Sequence, residues 1–186
     1  MQQTVVITGV GRDRVGIVAE LTTVLFKLGC NLLDSSMTLL RGEFAIILMT
    51  SLADGITIEK LKSELQPVQD KLDFQLQIRE LSPEQIEASA GDDFNQKMCI
   101  ISVYGADKPG IVSGITTKLA NLQINITDVE TTRTSQNPGG KSVFIMLIEA
   151  KLPASGDLQF IRSELKGTAE TMGVDITVQE LEVVDL

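Results

Sequence analysis

Sliding the 186-residue chain against itself by 94 positions lays Gly11-Arg12-Asp13-Arg14-Val15-Gly16-Ile17-Val18 on Gly105-Ala106-Asp107-Lys108-Pro109-Gly110-Ile111-Val112. The match runs on without a gap. Thr22-Thr23 falls on Thr116-Thr117, Leu25 on Leu119, Leu28 on Leu122, Asn31 on Asn125 and Asp34 on Asp128, giving roughly 12 identities in 30 positions. A chain that carries one unit twice folds as two copies of whatever that unit specifies. Beyond the block the first copy reaches its apolar run at Phe44, and the second reaches the corresponding Phe144 after about six extra residues, in the stretch Ser135 to Gly140, which predicts a hairpin loop there. Ser82 to Gln96 holds Pro83, Gly91 and four acidic residues with no basic one, the composition of a solvated linker. The expected organisation is a first module over 1–81, an acidic linker over 82–96 and a second module over 97–186.

Each copy has the same order of elements. A strand at Thr4 to Val10, or Met98 to Tyr104, is followed by a helix whose apolar stripe is Val15, Val18, Leu21, Leu25 and Leu28, or Ile111, Ile115, Leu119 and Leu122. Two strands come next, the second being the dense apolar run at Phe44 or Phe144. A second helix then carries Ile58, Leu61, Leu65, Val68 and Leu72, or Leu158, Ile161, Leu165, Ala169 and Met172. The closing strand alternates Phe74, Leu76 and Ile78, or Val174, Ile176 and Val178, with polar residues. The order is βαββαβ twice, an α+β, ferredoxin-like architecture in which an antiparallel four-stranded sheet carries two helices on one face. The third strands are apolar on both sides, through Ile46 to Met49 and Ile145 to Ile148. Something must cover the second face: the modules pair with each other, or another copy or a partner docks there, and side-by-side pairing completed in a homodimer is the expected solution.

Composition narrows the chemistry. The chain has no histidine, so the usual general base near neutral pH and the commonest zinc ligand are both missing. A formal charge of −9 opposes contact with phosphate backbones, so nucleic acid is not an expected partner. Cys30 and Cys99 fit neither a CxxC pair nor a zinc site and read as reduced core residues. The apolar runs are too short to cross a bilayer and no signal-like segment opens the chain, so a cytoplasmic protein without a membrane partner is expected.

The repeated Gly11 to Val18 and Gly105 to Val112 segments join the first strand to the first helix. Asp13 and Asp107 are placed to cap the helix, Pro109 to sit in its first turn, and Gly16 and Gly110 to let a backbone or small ligand approach the free amides. Such a helix start favours a carboxylate. An amino acid supplies one, and its ammonium would then meet Asp13 or Asp107, or the amide oxygen of Asn31 or Asn125. N-capping and tight packing explain the same residues without a ligand, and the asparagines equally suit a turn. Asp34 and Asp128 recur as well, but edge-strand carboxylates are commonly solvated and are not read as metal ligands.

The strand followed by Gly105-x-Asp107-x-Pro109-Gly110-Ile111-Val112, then a helix ending at Asn125-Ile126, resembles the ACT domain. The first copy departs conservatively, with Val15 in place of proline and Asn31-Leu32 in place of Asn-Ile. The resemblance covers nearly the whole chain and leaves no catalytic or DNA-binding domain over. It implies a non-enzymatic regulator with no cofactor or metal, whose site residues are Gly11, Asp13, Gly16, Ile17, Asn31, Gly105, Asp107, Pro109, Gly110, Ile111 and Asn125. It further implies a small effector such as glycine or serine, and control of glycine cleavage genes through a DNA-binding transcriptional activator. The alternative is a free-standing subunit that controls an amino-acid biosynthetic enzyme. An acylphosphatase-type hydrolase fits poorly, because Arg12 aligns with Ala106 and Arg14 with Lys108, so the copies share no arginine in this loop. A purely structural dimerisation unit remains a third reading.

Overall fold

A computed structural model describes residues 3–86, 97–135, 142–153 and 156–181. The chain divides into two compact units, Met1–Gly91 and Asp92–Leu186. The first runs β1 (Thr4–Arg12), α1 (Ile17–Lys27), β2 (Asn31–Leu40), β3 (Glu43–Ser51), α2 (Ile58–Leu72) and β4 (Phe74–Glu80). The second runs β5 (Met98–Ala106), α3 (Ile111–Asn121), β6 (Asn125–Ser135), β7 (Ser142–Lys151), α4 (Leu158–Met172) and β8 (Val174–Leu181). Every strand pair is antiparallel, with orders β2-β3-β1-β4 and β6-β7-β5-β8. Both units have the architecture expected from the repeat, and their first strands run two residues beyond the expected ends.

Helix packing follows the apolar spacing with one correction. Leu21 and Leu25 are buried in α1, but the stripe begins at buried Ile17 rather than Val15, which precedes the helix and is fully exposed. Leu61, Leu65, Val68 and Leu72 line α2, whose Thr57 accepts the N–H of Lys60 as a true cap. Ile161, Leu165 and Ala169 do the same in α4 beneath the Asp157 cap. The third strands are half-covered: Ile46, Leu48, Met146 and Ile148 are buried under the helices, whereas Ile47 and Leu147 face outward, exposed. Cys99 lies in the second core and burial, with Glu180 nearby, pushes its thiol up, away from the reactive thiolate. Cys30 is half-buried against the first core.

The proposed linker opens with order. Residues 83–86 form a helical turn after Ser82, in which Ser82 Oγ accepts the N–H of Gln85 and Gln85 Oε1 accepts the N–H of Ser82, a reciprocal capping box. The remaining linker and the expected hairpin loop at 136–141 lie outside the described residues.

Equivalent positions of the two units adopt the same backbone even where residue types differ. Gly29 and Gln123 both follow a helix at positive φ (68° and 57°), as do Asp73 and Gly173 (51° and 68°). Only glycine occupies that region without strain. Asp73→Gly is therefore expected to stabilise the first unit by about 0.5–1 kcal/mol, read as a higher urea midpoint with unchanged slope.

Candidate functional site

The loop between β1 and α1, like its counterpart between β5 and α3, is built by two constraints, a backbone hydrogen bond and a glycine cap. The backbone N–H of Asp13 donates to the carbonyl of Gly42 at 2.8 Å, tying the loop to the turn between β2 and β3. In the second unit the N–H of Asp107 donates to Ser142 at 3.2 Å. The helix caps are Gly16 and Gly110, at φ 101° and 94°, and neither helix start has a side-chain cap. This corrects the expectation that Asp13 and Asp107 are N-caps and that Pro109 lies in the first turn. Both aspartates precede the cap by three residues, and Pro109 sits in the turn just before Gly110. The glycines are needed for the left-handed conformation, since a Cβ on either meets nothing within 4 Å.

The result is an exposed helix N-terminus whose first-turn N–H groups have no capping side chain, with a carboxylate close by in sequence. Such a terminus accommodates a small anion, and the carboxylate suits an ammonium.

The other expected site residues divide by position. Ile17 and Ile111 are core side chains at 2% and 3% exposure, and hold the helix start down. Gly11 and Gly105 serve packing: a Cβ on Gly11 would lie 3.0 Å from the Asp73 carbonyl, and one on Gly105 would lie 3.2 Å from the Val174 Cα. Asn31 and Asn125 begin β2 and β6, exposed, and are not in the positive-φ turns that precede them. Register places Asn31 beside Ser51 and hence the Thr4 end of β1, while the loop leaves from the Arg12 end. The two ends are about 25 Å apart along the strand. Within one unit, the structure does not bring Asn31 to Asp13 or, by the same register, Asn125 to Asp107.

The two loops differ in occupancy. Asp107 is half-buried and its carboxylate meets the Arg133 guanidinium at 3.3 Å, while Lys108 Nζ donates to the Met172 carbonyl at 3.4 Å. Asp13 is exposed, and position 39, the counterpart of Arg133, is leucine. Sequence reading missed Arg133, although the substitution of leucine by arginine at equivalent positions was its signal.

Surface clefts lie away from these loops. One of about 370 Å³ is lined by Arg162, Lys166 and Glu170 of α4 with Val174 to Val178 of β8, and one of about 500 Å³ by Lys62, Gln66 and Gln69 of α2 with Leu76 to Ile78 of β4. Among the described residues no cluster of three or more Cys, Asp or Glu side chains is placed to hold a metal. Asp34 has a structural role instead, its Oδ1 accepting the N–H of Ser35 at 2.7 Å beside the bulge at Leu33. None of the described helices is long and apolar enough to cross a membrane.

Comparison with known proteins matches both units. The family profile of the ACT domain matches residues 3–79 and 97–179. A UPF0237 protein of Clostridium acetobutylicum is 33% identical over 76 residues, covering 40% of this chain and 85% of that protein. Another, from Streptococcus mutans serotype c, is 34% identical over 86 residues, 46% of this chain and 91% of its own length. Over the full fold, the crystal structure of an unknown protein from Galdieria sulphuraria gives a TM-score of 0.81 at 28% identity, covering 98% of this chain and 100% of that one. A structure provisionally described as a glycine cleavage system transcriptional repressor gives a TM-score of 0.74 at 22% identity, covering 98% and 99%.

Proposed function

This chain belongs to the ACT domain family, and on that premise we propose that it is a non-catalytic amino-acid sensor that controls glycine cleavage genes by contacting a DNA-binding transcriptional activator. The effector is a small amino acid, glycine or serine, and the protein works in the cytoplasm as a homodimer. The observation that carries the reading is the repeated loop: a helix start without a side-chain cap follows a left-handed glycine, with Asp13 or Asp107 alongside. The effector carboxylate sits on the first-turn amides of Gly16 to Val18 or Gly110 to Val112, and its ammonium on the aspartate. The first loop is the freer of the two, because among the described residues Asp13 forms no ion pair, whereas Asp107 is paired with Arg133. The full-length structural likeness to the provisionally described repressor supports the choice of glycine cleavage genes as the target.

Binding alters partner contact only through different affinity for two states of the regulator, a coupling of about 1–3 kcal/mol in ordinary metabolite control. The test is a thermal-shift screen of the purified chain against the twenty amino acids. The expected result is a selective rise in melting temperature with glycine or serine, growing with ligand concentration. A flat response to every amino acid, with calorimetry also silent, sinks the sensor reading. Effector-dependent capture of an enzyme of amino-acid biosynthesis, in place of a transcription factor, points to the subunit role.

A further inference from the structure

The two strand-to-helix loops are held down unequally. In the first unit the Asp13 N–H bonds the Gly42 carbonyl, and among the described residues no side chain of Asp13 or Arg14 adds to that tie. In the second unit the matching backbone bond, from Asp107 to Ser142, is joined by two side-chain ties. The Asp107 carboxylate meets the Arg133 guanidinium, and Lys108 Nζ donates to the carbonyl of Met172, the last residue of α4, where the helix dipole favours a cation. Pro109, with its fixed φ, stands where the first loop has Val15.

The difference at the aspartate traces to one position on the neighbouring strand. Arg133 of β6 lies opposite Phe144, and its counterpart Leu39 of β2 lies opposite Phe44. Both phenylalanines are buried, so the two side chains leave the same register position on the helix side of their sheets. Leucine offers Asp13 neither a charge nor a donor, and that aspartate stands exposed. Arginine reaches Asp107, which is half-buried. A guanidinium on a carboxylate does what an effector ammonium would do there: it is a cation donating N–H bonds to the same oxygens.

We propose that Arg133 is a built-in gate on the second loop, so that the chain takes its amino-acid effector at the Asp13 loop and keeps the Asp107 loop closed to it. The proposal rests on the sensor reading above and assigns the site within it. An ammonium reaches Asp107 either by displacing Arg133 or by sharing the carboxylate with it. Displacement gives up an exposed ion pair, and sharing sets two cations on one carboxylate. Because Arg133 is tethered to β6, a displaced guanidinium stays near the bound ammonium, and the two effects compound to roughly tenfold weaker binding.

The test exchanges the two residues in the full chain and reads affinity for glycine and serine by isothermal titration. Leu39→Arg puts a guanidinium in reach of Asp13 and is expected to weaken binding by roughly tenfold. With the first loop impaired by Asp13→Asn, adding Arg133→Leu is expected to regain roughly tenfold, whereas Arg133→Lys, which keeps a cation at the position, is expected to regain little. Leucine already occupies this register in the first unit, so the far-ultraviolet spectrum should not change; should Arg133→Leu fail to fold, Arg133→Gln removes the charge and is expected to give the same recovery. A folded Asp13→Asn, Arg133→Leu protein that binds no better than Asp13→Asn overturns the gate and leaves the sensor reading standing. Equal recovery with lysine and leucine also overturns it, because charge would then play no part. Silence of the wild type and of every variant toward both amino acids overturns the choice of effector and the gate with it.

Discussion

Gly9→Val is expected to destabilise the protein by about 3 kcal/mol, and adding Phe74→Val is expected to return about 1 kcal/mol of that loss instead of adding to it. A Cβ on Gly9 would lie 2.3 Å from Phe74 Cε1 and 2.7 Å from Leu76 Cδ2, inside van der Waals contact. Phe74 is 2% exposed and tilted against Phe44 at 6.1 Å between ring centroids, so the ring has little room to move. The second unit shows the alternative solution to the same geometry: Val103 stands at the position of Gly9, and Val174 at that of Phe74. Phe74→Val alone leaves a cavity and should cost about 2–3 kcal/mol. Independent effects would sum to about 5–6 kcal/mol, whereas the double variant should lose only about 2, a coupling of roughly 3 kcal/mol. Chemical denaturation of the four proteins in the cycle measures this. Additive losses would remove the claim that the two positions share one volume.

Asp13→Asn is expected to weaken effector binding by roughly 10- to 100-fold, the weight of a charge-assisted hydrogen bond of about 1.5–3 kcal/mol. Stability should hardly change, because Asp13 is exposed and its structural bond runs through the backbone N–H, which asparagine keeps. Asp107→Asn should change effector binding less, since the Arg133 guanidinium already occupies that carboxylate. Isothermal titration of both variants with glycine and serine separates the loops. Equal losses at Asp13 and Asp107 would show that Arg133 does not distinguish them, and no loss at either would remove both carboxylates from the site.

The architecture was legible because long periodic segments constrain one another. The 94-residue offset duplicates every element, and stripes such as Leu61, Leu65, Val68 and Leu72 leave a helix little freedom to be anything else. The loop was read less well, for two physical reasons. Asp-x-x-Gly fits either an aspartate cap followed by helix or an aspartate turn followed by a left-handed glycine cap, and no side-chain pattern separates these. Val15 and Val18 also share the three-residue spacing of a real stripe, although the helix begins after Gly16 and buries Ile17. Asn31 was read as an ammonium acceptor from the far end of α1, yet an eleven-residue helix carries the chain about 16 Å along its axis, out of reach of the loop.

The exchanged sizes at Gly9 with Phe74 and Val103 with Val174 bear on how a duplicated chain avoids tangling with itself. Tandem copies that share a topology are prone to misassembly in which a strand of one copy inserts into the sheet of the other. Here such an insertion meets a mismatch in either direction. With β5 in the place of β1, Val103 would press on the Phe74 ring. With β1 in the place of β5, Gly9 would leave a void beside Val174. Each first strand therefore carries side-chain sizes matched to its own closing strand, so a strand paired into the wrong sheet is disfavoured relative to the correct pairing.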